Sequence, residues 1–213
     1  MQISQSDRTP LLNQLRGEYS VCENCELCPS CSGIAGVVNS KGPLSSIAII
    51  GEAPGADEDK QGEPFVGRSG KMLDKLLEKA KIKREQVFIT NAVKCRPLSE
   101  DKKKNRTPTR TEQEACRPWL YKELEIVRPK VIISLGKIAT ESVIALPKGF
   151  ALGKYVKKPQ ETYLRRENSP EMIADVYTII PCWHPSYLMQ HGRSKFNEAV
   201  DCFKLAKKLV LEQ

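Results

Sequence analysis

Four cysteines, Cys22, Cys25, Cys28 and Cys31, recur at intervals of three residues near the start of the chain. Thiols clustered this way, with no export-type leader ahead of them, bind metal more often than they form disulfides. A four-thiolate site takes either zinc or a [4Fe–4S] cluster, and spacing alone leaves those two open. A second concentration of chemistry is the turn Gly51-Glu52-Ala53-Pro54-Gly55-Ala56-Asp57-Glu58-Asp59. Most acidic runs are solvated loops. Glu52, however, directly follows the apolar run Ile47–Ile50, where an unpaired carboxylate is costly. Asn91 and His184 stand in comparable places, each just beyond a β-type apolar run. The third concentration is basic: Lys102, Lys103, Lys104 and Arg106, followed by Arg110. Such a run is ordinarily a solvated surface, but its cations suit the phosphates of a polyanion.

These groups need a frame. Ile47–Ile50, Val87–Thr90, Val131–Leu135 and Val176–Ile180 are continuous apolar runs, the pattern of strands buried on both faces. Helical patterns separate them. The first is an opening helix over 11–19, the second spans about 71–81 with Ser69 as its cap. The third opens on a capping box of Thr111 and Glu114 and runs to Val127, the fourth continues through Ala145, and the last spans about 195–211. Strands alternating with helices predict an α/β fold, a four-stranded parallel sheet sandwiched between helices in three layers. Ligands of such sheets bind beyond the carboxyl ends of the strands, where Glu52, Asn91 and His184 fall. The charged, poorly periodic segment 149–173 receives neither a strand nor a function.

The chain has 213 residues, 40% of them hydrophobic, enough for one substantial core and read as one domain over 1–213. No apolar run approaches the roughly 18 residues of a membrane span. Met1–Pro10 lacks a secretory pattern, so a cytoplasmic, nucleoid-associated monomer is expected. Its 34 Lys and Arg against 26 Asp and Glu leave a net charge of +8, which favours a nucleic-acid partner.

Longer motifs sharpen this picture. Gly51–Asp59, Gly62-Glu63-Pro64-Phe65-Val66-Gly67-Arg68, Thr90-Asn91-Ala92-Val93-Lys94-Cys95-Arg96-Pro97, Glu112–Trp119 with Cys116, Leu135-Gly136 and His184-Pro185-Ser186-Tyr187-Leu188 occur in this order. Together they closely resemble the family 4 uracil-DNA glycosylases, over Cys22 to about Leu188. The resemblance implies an enzyme of base excision repair. It extrudes deoxyuridine from single- or double-stranded DNA and hydrolyses the N-glycosidic bond. It leaves free uracil and an abasic site, with no membrane partner.

The resemblance also implies roles. Phe65 stacks on the extruded uracil, Asn91 reads its N3–H and O4 edge, and His184 donates to O2 as charge develops on the leaving base. Glu52 and Ala53 complete the uracil site. The related family 1 enzymes carry an aspartate base where this chain has Ala53, which leaves Glu52 and Glu58, unranked, to orient water or steady the sugar cation. Cys22, Cys25, Cys95 and Cys116 match the ligands of a [4Fe–4S] cluster, while Cys28 and Cys31 depart from that pattern. Lys102, Lys103, Lys104, Arg106, Arg110 and Ser186 would contact DNA. A DNA-cross-linking branch of the superfamily has a histidine in a similar basic insertion; Asn105 is its nearest counterpart here, so covalent trapping is not expected. Cys182 and Cys202 read as small buried hydrophobes. Rival readings are a same-fold glycosylase for another base and a non-catalytic DNA-binding iron–sulfur or zinc module.

Overall fold

A computed structural model describes residues 8–27, 45–101, 103–165 and 172–212. Cys28, Cys31 and Lys102 lie outside the described residues. The sheet contains β1 (Ile47–Gly51), β2 (Val87–Asn91), β3 (Val131–Leu135), β4 (Gln160–Arg165) and β5 (Met172–Cys182), in the order β2-β1-β3-β5-β4. The four apolar runs pair in parallel, as expected. The fifth strand corrects the expected count: β4 lies antiparallel to β5, within the segment that carries no apolar run. An edge strand needs no apolar face on both sides and is commonly charged, which is why QETYLR does not announce itself as a strand.

The helices are α1 (Arg8–Ser20), α2 (Ala56–Gln61), α3 (Arg68–Lys79), α4 (Arg110–Val127), α5 (Lys137–Glu141) and α6 (Pro185–Leu211). Successive residues of β1 face opposite layers. Ile47 and Ile49 pack with Leu73, Leu76 and Leu77 of α3 and Phe203 and Ala206 of α6. Ala48 and Ile50 pack with Leu12 of α1, Leu120 and Leu124 of α4 and Ala139 of α5. Each large apolar side chain buried this way stabilises the fold by about 1.5–3 kcal/mol.

The helix starts differ from the sequence reading. Thr109, not Thr111, caps α4: its hydroxyl accepts from Glu112 N–H at 3.3 Å, and the Glu112 carboxylate accepts from Thr109 N–H at 2.7 Å. Ser69 lies inside α3, whose cap is Gly67. That cap has no side chain, and its N–H is taken by Glu58 from nine residues upstream at 2.8 Å. The helix after β3 is short, ending at Glu141. The last helix begins at Pro185 and breaks at Gly192, whose φ of 74° is not helical. No helix among the described residues is long and apolar enough to cross a membrane.

Candidate active site and cysteine cradle

The carboxyl ends of β1, β2, β3 and β5 open on a cavity of about 480 Å³. Glu52, Ala53, Phe65, Asn91 and His184 all line it, together with Glu58 and Ser186. The sequence placed Glu52, Asn91 and His184 at strand ends; the structure brings them, with Phe65, around one space.

Asn91 closes β2 opposite Gly51 and is 2% exposed. Its side-chain amide makes no hydrogen bond among the described residues. A buried amide without a partner is costly unless a ligand completes it. A Cβ on Gly51 would collide with Asn91 Oδ1 and stand 2.5 Å from Phe65 Cζ, so only glycine lets ring and amide converge at this strand end. Phe65 adopts a left-handed backbone, φ 56°. Arg84 holds it there, donating to the carbonyls of Pro64 at 2.9 Å and Phe65 at 3.0 Å. Gly70 supplies the bare Cα against which the Phe65 carbonyl packs.

His184 caps α6 with its ring. Ser186 N–H donates to Nδ1 at 3.2 Å, and Ser186 Oγ lies 2.7 Å from the same atom. An accepting Nδ1 places the ring proton on Nε2. Burial lowers the His184 pKa to about 4, so the imidazole is neutral near pH 7 and its Nε2–H is a donor. Ser186 thus orients His184.

The two candidate carboxylates differ. Glu58 accepts from Val66 N–H at 3.0 Å and Gly67 N–H at 2.8 Å through Oε1, and from Gly55 N–H at 3.1 Å through Oε2. It fastens the turn to the start of α3. Glu52 is half-buried, has no side-chain hydrogen bond among the described residues, and burial raises its carboxyl pKa above the ordinary range.

Around the described part of the basic segment, Leu98 and Asn105 form a bridge and Arg106 N–H donates to Pro97 O at 3.1 Å. Arg106 forms a forked pair with Glu112 at 2.6 and 2.8 Å and so anchors the loop to α4. Arg110 pairs with Glu114 on the surface. Lys103 and Lys104 are exposed, with no ion pair among the described residues. Asn105 also lines the cavity, its Oδ1 accepting from Arg96 Nε at 2.7 Å. Arg68 and Lys137 stand at the same cavity; the sequence reading gave neither a role, although Arg68 lay inside a quoted motif.

Cys22, Cys25, Cys95 and Cys116 meet in a second, small cavity with Tyr19 and Trp119. None is in a disulfide. Lys94 N–H donates to Cys116 Sγ at 3.2 Å and Trp119 Nε1–H to Cys22 Sγ at 3.3 Å. Burial pushes the Cys116 thiol up to about 11, so a cationic centre binding here must displace its proton. Among the described residues no trio of Cys, His, Asp or Glu is drawn tightly enough to hold a single ion. Cys182 and Cys202 are fully buried in the main core, as expected of small hydrophobes.

This sheet with its strand-end pocket defines a class. Residues 40–205 match the family model of the uracil DNA glycosylase superfamily. Among curated relatives, the type-4 uracil-DNA glycosylase of Thermotoga maritima is 36% identical over 84% of this chain and 84% of its own. That of Sulfurisphaera tokodaii is 34% identical over 82% of this chain and 74% of its own, and that of Archaeoglobus fulgidus 41% identical over 63% and 64%. The chain belongs to the type-4 uracil-DNA glycosylases of this superfamily.

Proposed function

We infer that the chain, as one domain and a monomer, hydrolyses the N-glycosidic bond of deoxyuridine in single- or double-stranded DNA. The observation that carries this is the Asn91 amide, without a partner among the described residues, facing a cavity beside Phe65 and His184. An amide offers one donor and one acceptor, the complement of the uracil O4 and N3–H edge. Phe65 supplies the face on which an extruded base stacks. As the C1′–N1 bond breaks, its electron pair leaves on uracil and the charge spreads to O2, where the neutral His184 donates from Nε2. Water then adds through oxygen to C1′, and its proton is the one that free uracil regains.

Glu52 is the better-placed carboxylate to orient that water or steady the sugar cation, since its side chain has no hydrogen bond among the described residues. Glu58 holds the loop. Arg68, Lys103 and Lys104, which have no ion pair among the described residues, would meet phosphates together with Lys102 of the same run; Arg106, Arg110 and Ser186 act by fixing the loop and His184.

Cys22, Cys25, Cys95 and Cys116 would hold a [4Fe–4S] cluster. Four cysteines meeting in one cavity are the donor set of such a cluster, and the resemblance of these four positions to the family's cluster ligands favours it over zinc. Bound there, the cluster would tie the end of α1 to the loop after β2 and to α4.

The test is excision from oligonucleotides carrying U·A, U·G, T·G or hypoxanthine. Release of uracil from the first two supports the reading. Release of hypoxanthine or thymine alone would make this a glycosylase for another base, and binding with no base released would make it a DNA-binding module.

A further inference from the structure

Lys94 lies at the seam between the pocket and the cysteine cradle, and it is buried, 2% exposed. Its ammonium donates to Thr90 Oγ1 at 2.8 Å, to the peptide carbonyl of Asn91 at 2.8 Å and to Glu123 Oε2 at 2.6 Å. All of its protons are therefore used, on two different elements, the end of β2 and the middle of α4. Thr90 Oγ1 in turn donates to the same Glu123 oxygen at 2.8 Å. Glu123 itself is fully buried.

A buried ion pair is weak evidence for stability, because well-packed apolar residues fill the same volume without desolvating two charges. What this pair does have is a geometric consequence. Among the described residues β2 is an edge strand, paired with β1 alone, so there its last residue is held by a ladder on one side only. That last residue is Asn91. Lys94 reaches back three residues and grips the Asn91 carbonyl, giving the peptide the second anchor that a neighbouring strand would otherwise give.

We propose that Lys94, braced by Glu123 and Thr90, is a positioning residue that fixes the Asn91 peptide and so the direction in which its amide addresses the base. The proposal rests on the base-reading role of Asn91 given above. Loosening that peptide lets the amide wander from the uracil edge, and a displacement of about 1 Å costs on the order of a hundredfold in rate.

The test is a double-mutant cycle in single-turnover uracil excision. Lys94→Met alone would strand the Glu123 charge, so the variant is Lys94→Met/Glu123→Leu, in which both charges leave together. It is expected to melt close to wild type, keep its iron content and half-saturate on DNA at the same concentration, yet excise uracil about a hundredfold more slowly. In an Asn91→Ala background the same pair of changes is expected to add almost nothing, because the amide it positions is gone. Thr90→Val, nearly isosteric, gives a second cycle with a loss of about tenfold that likewise vanishes without the Asn91 amide. A wild-type rate, or a loss that multiplies with that of Asn91→Ala, overturns the proposal in either cycle; if the paired variant does not fold, the Thr90→Val cycle decides. Asn91→Ala excising at the wild-type rate would be a different failure, that of the base-reading role itself.

Discussion

Two clefts of similar size sit at opposite ends of the same sheet. The one at the carboxyl ends of the strands encloses about 480 Å³, the one beside Ser45, Ser46 and Ile47 at the amino end about 400 Å³. Volume does not separate them; what lines them does. The amino-end cleft is bordered by surface charges such as Lys81 and Glu85 and by Lys207, whose ammonium donates to the Lys81 carbonyl at 2.7 Å. At the carboxyl end a buried amide and a half-buried carboxylate have no partner among the described residues, and a neutral histidine presents a donor. Polar groups left incomplete at a strand end mark the place where a ligand completes them.

The same contrast distinguishes groups that build the carboxyl-end site from groups that act in it, and substitutions at each should differ in kind. The largest effect belongs to the cradle. Cys22→Ala, Cys25→Ala, Cys95→Ala or Cys116→Ala is expected to lose the proposed iron–sulfur cluster and leave the protein insoluble, while Cys202→Ala keeps both. Iron and acid-labile sulfide near about four each per chain in the wild type is the accompanying measurement. Stoichiometric zinc, or a requirement for Cys28 and Cys31 instead, would contradict the ligand set.

Next are the two glutamates. Glu58→Ala strands three backbone N–H groups and is expected to lower stability by about 3 kcal/mol or more in thermal melting. Glu52→Gln should leave the melting temperature almost unchanged and slow excision. Its rate should also lose the acidic limb that the raised Glu52 pKa gives the wild type above the usual carboxylate range. Equal melting losses in both variants would erase the distinction between builder and actor.

His184 makes a pH prediction. Its folded pKa, about 4, is below the unfolded value of about 6.5. The unfolded chain therefore binds more protons between these values, so this contribution to stability is full above about pH 6.5 and is lost as pH falls toward about 4. Melting followed across that window should fall less steeply for His184→Gln than for the wild type. Parallel slopes would mean that the ring is not held neutral by burial.

The smallest effect is expected on the basic loop. Lys103→Ala/Lys104→Ala should weaken binding alike for all DNA sequences and reduce the salt slope by about two, leaving uracil selectivity intact. An unchanged slope would return these residues to ordinary surface.

The parallel strands and the strand-end pocket were legible because continuous apolar runs end on Gly51 and Asn91 or lead within four residues to His184, a signal carried locally. What was not legible depends on contacts distant in sequence. Nothing local tells that Gly67 rather than Ser69 starts α3, because its capping oxygen comes from Glu58. Thr109 and Thr111 stand equally well before a glutamate three residues on, and the choice between them falls to Arg106, which clamps Glu112 and so fixes where α4 begins. Local pattern also left Glu52 and Glu58 unranked, since both follow the same strand. Their difference lies in three N–H groups, two of them eight and nine residues downstream of Glu58. Lys94 passed as one residue of a motif; its burial against Glu123 is a tertiary fact.

The central claim is that the Asn91 amide, at the end of β2, reads the base. Single-turnover excision of uracil from one duplex by the wild type, Asn91→Ala and Asn91→Asp tests it most directly. Asn91→Asp replaces the donor with an acceptor, which repels uracil O4 and offers a partner to the amino group of cytosine. The lost hydrogen bond and the new mismatch should cost roughly 3–5 kcal/mol, about two to four orders of magnitude in uracil excision, with Asn91→Ala also strongly slowed. Wild-type rates in both variants would mean that the base is read elsewhere and that this strand-end pocket is not the uracil site.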